Sequence, residues 1–244
     1  MSELASDIVA SVPEDRRIYA IGDIHGRADL LRRLHDTIAQ DSARSGKRNT
    51  IIYLGDYVDR GQESASVIDL ILDAPPCCEV VTLKGNHEEL MLRFLDDLSA
   101  ARGWLINGGD ATLMSYGVVP PSLYSGSPIF EMAQERLVAN LPARHRSFLE
   151  QLVLTHSVGD YLFVHAGIRP GIALADQRPE DLLWIRDKFL ESDERFEKLV
   201  VHGHTIALNP VLRANRIGID TGAYASDRLT CLVLDGASRR FITT

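Results

Sequence analysis

Residues 53–61 read YLGDYVDRG. An apolar β-type run, TIIYL, ends here in glycine and an acid, and a second acid and an arginine follow at once. Asp56 and Asp59 stand three apart at the mouth of a strand with no polar position in its last residues. Like charges so placed repel each other unless something positive sits between or beside them. In an open α/β sheet that position is the carboxyl edge of a strand, which lines the ligand crevice.

The same arrangement recurs on either side. Gly22-Asp23-Ile24-His25-Gly26 follows RIYAI, and Gly85-Asn86-His87-Glu88 follows CEVVTLK. His165-Ala166-Gly167 follows DYLFV, and His202-Gly203-His204-Thr205 follows KLVV. Each places a polar residue beside glycine where an apolar run stops. Between the first runs lie helical patterns. Leu30, Leu31, Leu34 and Ile38 share one face of residues 27–40. Val67, Ile68, Ile71 and Leu72 do so in residues 63–74, which halt at Pro75-Pro76. Residues 87–100 form a third helix. Alternation of this kind predicts a parallel sheet covered by helices.

Residues 103–155 open with a glycine-, proline- and serine-rich stretch and continue with two helical patterns. They read as an insertion or lid in a single domain over residues 13–244. The last part returns to short strands and tight turns, which predicts a second sheet packed on the first. The expected class is α/β, a four-layer α/β/β/α sandwich with a helical insertion. Residues 1–12 read as a flexible start.

The chain carries 26 Lys and Arg against 34 Asp and Glu, a net charge of −8. That balance argues against a nucleic-acid or anionic-membrane binder and suits bound divalent cations. Three cysteines, Cys77, Cys78 and Cys231, form neither a disulfide framework nor a zinc knuckle. No leader pattern opens the sequence, and no apolar run nears the ~18–20 residues of a spanning helix. The expected location is the cytoplasm.

The residue types at the five tips name a ligand. Asp, His and Asn without cysteine suit a hard or borderline divalent cation, and several imidazoles favour Mn²⁺, Fe or Zn²⁺ over Ca²⁺. There are too many donors for one ion, so one carboxylate must bridge two ions about 3.5–4 Å apart. A bridging role for Asp56 supplies the missing positive charge.

In the order GDIHG, GDYVDRG, GNHE, HAG, HGHT the chain resembles the calcineurin-like metallophosphoesterases. Within them it resembles the phosphoprotein phosphatases of the bacterial and phage-lambda type, and almost as closely the symmetrical diadenosine tetraphosphatases. The resemblance runs from Arg17 to the C-terminus and is weakest in residues 103–155. It implies a metallophosphatase sandwich with two divalent ions, Mn²⁺ foremost. Asp23, His25 and Asp56 would hold the first ion. Asp56, Asn86, His165 and His204 would hold the second. A hydroxide bridging the ions would attack phosphorus directly. His87 paired with Asp59 would be the general acid, and Arg60 and Arg186 would clamp the phosphate, with Tyr224 in reach of it. The substrate implied is a phosphorylated protein or small molecule, with phosphoserine and phosphothreonine foremost and a dinucleoside tetraphosphate as the alternative.

Other residues carry plainer expectations. His35 and His145 read as solvated, and His156 as a cap or surface group at a helix end. His202 stands between a supporting role and simple packing. Cys231 reads as core, and Cys77-Cys78 as a buried or loop pair. Arg27 either touches substrate or starts a helix at the surface. Asn107-Gly108-Gly109 reads as a structural turn.

Overall fold

In a computed structural model, which describes residues 10–244, β1 (Arg16–Ile21) lies at the centre of a five-stranded sheet. It pairs in parallel with β2 (Arg48–Tyr53), and β2 pairs in parallel with β3 (Cys78–Thr82). The crossovers carry α1 (Ala28–Ser42) and α2 (Ser64–Leu72), and α3 (Asn86–Asp96) leaves the tip of β3. Residues 101–150 form four more helices: α4 (Ala101–Ile106), α5 (Gly109–Ser115), α6 (Ser127–Asn140) and α7 (Ala143–Glu150).

A second five-stranded sheet follows. It contains β4 (Thr155–Val158), β5 (Tyr161–Val164), β6 (Leu199–His202), β7 (Val211–Leu212) and β8 (Arg216–Gly218), in the order β4-β5-β6-β8-β7. Between β5 and β6 lie α8 (Pro179–Trp184) and α9 (Asp187–Leu190). The short helix α10 (Ala223–Ser226) precedes β9 (Thr230–Asp235) and β10 (Ser238–Thr243). These last two strands were expected in the second sheet. They join the first instead, antiparallel to β1, in the order β10-β9-β1-β2-β3. The reason is visible in TCLVL, apolar on both faces and buried throughout, which suits a position inside a covered sheet.

Strand alternation builds the layers. Ile18 and Ala20 of β1, Ile52 of β2, and Leu232 and Leu234 of β9 face Phe163, Val201 and Ile217 of the second sheet in one apolar cluster. Tyr19, Ile21, Ile51 and Tyr53 face the other way, onto Leu30, Leu34 and Val67 of α1 and α2. Leu162, Val164 and Val200 turn outward from the second sheet onto Leu182 and Phe189. The result is the expected α/β/β/α sandwich. No helix among the described residues is long and apolar enough to cross a membrane.

Several plainer readings need correction. His35 is buried on α1, with Nε2 at 2.7 Å from the Tyr53 hydroxyl. His145 is buried too, with Tyr116 Oη 2.9 Å from Nδ1 and Asp69 Oδ1 2.9 Å from Nε2. Both rings are covered because α1 lays His35 on Tyr53 of β2 and α7 packs on α2 and α3. His156 sits half-buried in β4, not at a helix end. Residues 1–9 of the expected flexible start lie outside the described residues. Ala10–Val12, however, are fastened: Val12 N–H donates to Gly236 O at 3.0 Å, and Ser11 N–H donates to Asp160 at 2.9 Å. Cys231 is core as expected, while Cys77 is exposed in the loop before β3 and Cys78 is that strand's first residue.

Candidate metal centre

All five tips converge on Asp56. Its Oδ2 lies 3.5 Å from His25 Nε2 and 3.7 Å from His87 Nε2, and its Oδ1 lies 3.4 Å from His165 Nε2. Two compact donor groups share this one carboxylate: His25, Asp56 and His87, and Asp56, His165 and His204. Separations of 3.4–3.7 Å are long for hydrogen bonds. They suit two donors on one ion, since ligand bonds of about 2.0–2.2 Å at tetrahedral angles put the donor atoms roughly 3.3–3.6 Å apart.

The imidazole tautomers point the same way. His25 Nδ1 lies 2.8 Å from Val58 O, and His165 Nδ1 lies 2.8 Å from Leu54 O. A backbone carbonyl only accepts, so each Nδ1 carries the hydrogen and each Nε2 is left with a bare lone pair. His165 Nε2 then faces Asn86 Oδ1 at 2.9 Å, acceptor against acceptor when the amide is so placed. His204 Nε2 is buried with no partner. Burial presses His25 to about 3 and His204 to about 2, and lowers His165 as well, so these rings stay neutral.

The acids lack compensation. Burial raises Asp23 well above the carboxylate range, and Asp220 and Asp56 add to the shift. Burial likewise raises Asp220 to about 6, with Asp56 contributing. Burial opposes ionisation of Asp56, and only positive charge on the surrounding rings, His165 first and then His87, His25 and His204, would outweigh it and hold the carboxyl low. Neutral rings cannot meet that demand, and cations held between these donors would complete the charge balance. Asp23 joins neither compact group. Its carboxylate accepts the His204 N–H at 3.0 and 3.2 Å, which sets it at the seam between the two sheets.

The backbone is bent to make this possible. Among the described residues, the non-glycine positions with positive φ are His25, Asp56, Asp59, Arg60, His204 and Asp227. All but the last are expected site residues. Such conformations are strained and persist only when the surroundings impose them. Glu88 is one source of that constraint. Its buried carboxylate accepts from the backbone N–H groups of Gly85, Asp56, Tyr57 and Val58 at 2.9, 2.9, 2.7 and 3.2 Å. Burial and Asp56 push Glu88 up to about 7 while the nearby N–H groups pull it back. A Cβ on Gly85 would sit 2.1 Å from Asp56 Oδ1, so only glycine lets the two tips approach.

His87 is the second residue of α3. Its Nδ1 is 2.7 Å from Asp59 Oδ2, and its Nε2 is 3.2 Å from Arg60 Nη2. Burial lowers its pKa, but Asp56 and the Asp59 pair overturn that and leave it raised. Asp59 also accepts from Trp104 Nε1 at 2.9 Å and from the Thr112 hydroxyl at 2.7 Å. Helices α4 and α5 therefore reach into the site. The Asn107-Gly108-Gly109 turn joins them, and Gly108 O accepts the Arg60 N–H at 3.1 Å.

The remaining expected residues form the rim. Arg60 lies over the Tyr224 ring at 4.8 Å, and Tyr224 meets His25 edge-on at 5.5 Å. Arg186, exposed between α8 and α9, donates to His204 O at 3.3 Å and to Thr205 Oγ1 at 3.2 Å. The two arginines thus flank the centre from the His87 side and the His204 side. Arg27 is held by Asp29, Asp227 and the Ala223 carbonyl, which fastens the start of α1 to α10. His202 packs edge-on to Phe189 at 5.1 Å and belongs to neither donor group. His204 has left the strand with φ +62, so alternation no longer puts both rings on one face.

This geometry has relatives. The calcineurin-like phosphoesterase family pattern matches residues 16–231. The chain belongs to that family. It is 27% identical over 226 residues to serine/threonine-protein phosphatase 2 of Escherichia coli, covering 88% of this chain and 91% of that one. It is 32% identical over 152 residues to the symmetrical bis(5'-nucleosyl)-tetraphosphatase of Dechloromonas aromatica, covering 62% of this chain and 44% of that one. A serine/threonine phosphatase structure from Saccharomyces cerevisiae superposes with a TM-score of 0.56 at 18% identity, over 94% of this chain and 80% of that one. As a calcineurin-like phosphoesterase the chain is a hydrolase of the phosphatase type with a divalent metal centre.

Four residues of the site were not singled out from sequence: Glu88, Trp104, Thr112 and Asp220. Glu88 had a signal, since an acid three after Gly85 fits a helix-start capping pattern. Trp104 and Thr112 had none, because their role depends on a long-range approach.

Proposed function

We propose that this family member hydrolyses phosphomonoesters, with phosphoserine and phosphothreonine in proteins as the principal substrates. The observation that carries the reading is the support given to the His87–Asp59 pair. Three side-chain donors, from His87, Trp104 and Thr112, converge on the Asp59 carboxylate, which is 0% exposed. A serine or threonine alkoxide is a poor leaving group and needs a proton as the P–O bond breaks. The nucleoside phosphate released when a phosphoanhydride is cleaved leaves far more easily and needs that help least. A site that fixes a general acid so firmly is built for the harder ester.

We assign Asp23, His25 and Asp56 to one ion and Asp56, Asn86, His165 and His204 to the other, with Mn²⁺ first and Fe or Zn²⁺ as alternatives. Two such ions acidify water to a nucleophile and neutralise phosphoryl charge. Arg60 and Arg186 grip the phosphoryl oxygens from opposite sides. In the free site Arg60 donates to His87 Nε2, which marks that nitrogen as an acceptor. A phosphate that draws Arg60 away leaves Nε2 free to take up a proton from solvent, with Nδ1 still held by Asp59. His87 then passes the Nε2 proton to the departing oxygen. Tyr224, beside both Arg60 and His25, orders the clamp. We place the enzyme in the cytoplasm, where its three free thiols suit reducing conditions.

A second reading, hydrolysis of dinucleoside tetraphosphates, draws on one feature besides the names of the relatives. The half-exposed ring of Trp184 lies 6.3 Å from His204 and is fixed by Glu89 at 2.9 Å, which gives a base a face to stack on. The Mn²⁺-loaded protein should be offered a phosphoserine peptide, diadenosine tetraphosphate and an aryl phosphate in parallel. A higher kcat/KM for the peptide is expected. A preference for the dinucleotide would replace the first reading with the second, and no turnover of any would remove both.

A further inference from the structure

Arg216 opens β8 and is 6% exposed. A buried guanidinium ordinarily has a carboxylate beside it, because an uncompensated charge away from water is expensive. Among the described residues Arg216 forms no salt bridge. Its Nη2 donates to Leu190 O at 2.8 Å, which caps the last turn of α9. Its Nε is buried with no partner, whereas Nη1 is not among the buried unpartnered atoms and is open to solvent. Burial depresses the Arg216 pKa, and Arg213, a neighbour of the same sign, adds to the shift. One carbonyl meets one nitrogen and the Phe189 ring lies 6.0 Å from Cζ, but no carboxylate balances the charge.

A cavity of about 240 Å³ lies against this residue. Arg213, Arg216, His202 and Thr205 give it polar walls, and Ile206 and Val211 give it apolar ones. His202 is 2% exposed, and its Nε2 also lacks a partner. Its Nδ1 lies 3.1 Å from Gly203 O, so Nε2 offers a lone pair. Two buried polar side chains with unmet bonding capacity thus border one cavity. Neither His202 nor Arg216 belongs to the donor groups around Asp56. Thr205 touches both regions through its bond to Arg186.

We propose that this cavity binds a small oxyanion. Arg216 supplies the counter-charge, Arg213 a second cation at the mouth, and Ile206 and Val211 contact for a short apolar body. A donor group on the ligand, such as a hydroxyl, satisfies His202 Nε2. The oxyanion can be free, as sulfate or phosphate, or carried on a carbon skeleton.

Crystals of the metal-loaded protein soaked separately in selenate and in 3-bromobenzoate separate these sources by anomalous scattering. A selenium peak within hydrogen-bond reach of Arg216, besides any peak at the metal centre, is expected. A bromine peak in the cavity as well would assign a carried oxyanion, and selenium alone a free one. Calorimetry with sulfate should give two sites in the wild type and one in Arg216→Gln, because losing a charged hydrogen bond weakens binding by roughly tenfold or more. Arg213→Gln, at an exposed position, tests the site without disturbing the fold, and weaker binding at the second site is expected. No peak at Arg216 with either probe, or an unchanged second site in both variants, overturns the proposal.

Discussion

Replacing Asp59 with asparagine tests the acid assignment with little change of shape. The carboxylate accepts from His87 Nδ1 at 2.7 Å, Trp104 Nε1 at 2.9 Å and the Thr112 hydroxyl at 2.7 Å. An amide has one accepting oxygen. If it faces Trp104 and Thr112, its NH₂ meets His87, and Nδ1 must then accept rather than donate. The ring is left in the wrong tautomer, with no negative neighbour to stabilise its protonated form. General acid help is worth about 10²–10⁴ in rate, so a fall in kcat of at least about 10², or about 2.7 kcal/mol, is expected on a phosphoserine peptide. An aryl phosphate, whose leaving group needs the proton least, should lose less than about fivefold. Elemental analysis should find both ions retained, because Asp59 lies in neither donor group. Steady-state kinetics on the two substrates reads the ratio directly. Equal losses on both, with metal content intact, would refute the assignment of His87 and Asp59 as the acid pair.

Other outcomes follow from the same structure. Asp56→Asn should abolish turnover and bring the metal content down to one ion or none per chain, since both donor groups share that carboxylate; an active variant with two ions would contradict the bridge. Glu88→Gln turns an NH₂ towards backbone donors that now meet carboxylate oxygens, so a loss of about 3 kcal/mol in urea unfolding and a collapse of activity are expected. Gly108→Ala puts a Cβ 2.8 Å from Arg60 N at φ +97, so about 1–3 kcal/mol of stability and much of the phosphate affinity should go together; an unaffected KM would argue against the turn's hold on Arg60. His35 makes stability depend on pH: burial lowers its pKa to about 4, against about 6.5 unfolded, so the unfolded chain takes up the proton first. Stability should fall by about 2 kcal/mol from pH 7.5 to pH 5 through this group, and His35→Gln should flatten that part of the profile.

The elements and the donors were legible for different reasons. Strand tips declare themselves locally, because apolar runs that stop at Gly-Asp or Gly-Asn can be read without knowing what lies across the crevice. The order of the tips, and their resemblance to a known pattern, did the rest. Registry between distant segments is not written in any window. TCLVL and SRRFIT read as strands, yet nothing in them says that they pair with β1 and not with the second sheet. Burial of single polar residues failed in the same way. His35 and His145 sit among charged neighbours in sequence, and only the packing of α1 and α7 against other elements puts their rings under cover. Trp104 and Thr112 come from the stretch with the weakest pattern, and their meaning lies wholly in Asp59, which is 45 and 53 residues away.

That distance bears on how the centre is held together. Left-handed conformations at His25, Asp56, Asp59, Arg60 and His204 cost of order 1–3 kcal/mol each, more in sum than a domain of this size can leave unopposed. The opposing terms are not in the tips themselves. For Asp56 they are the N–H bonds to Glu88, and for Asp59 they are the donors from α4 and α5. For Arg60 the term is the Gly108 carbonyl, and for His204 it is the pair of bonds to Asp23. Four of these five residues are thus each fastened by a segment remote in sequence. Loosening any one segment should release its own donor before the sandwich unfolds. Cations drawn to the shared carboxylate then stabilise the strained arrangement further, so metal affinity and the rigidity of these four fastenings should rise and fall together.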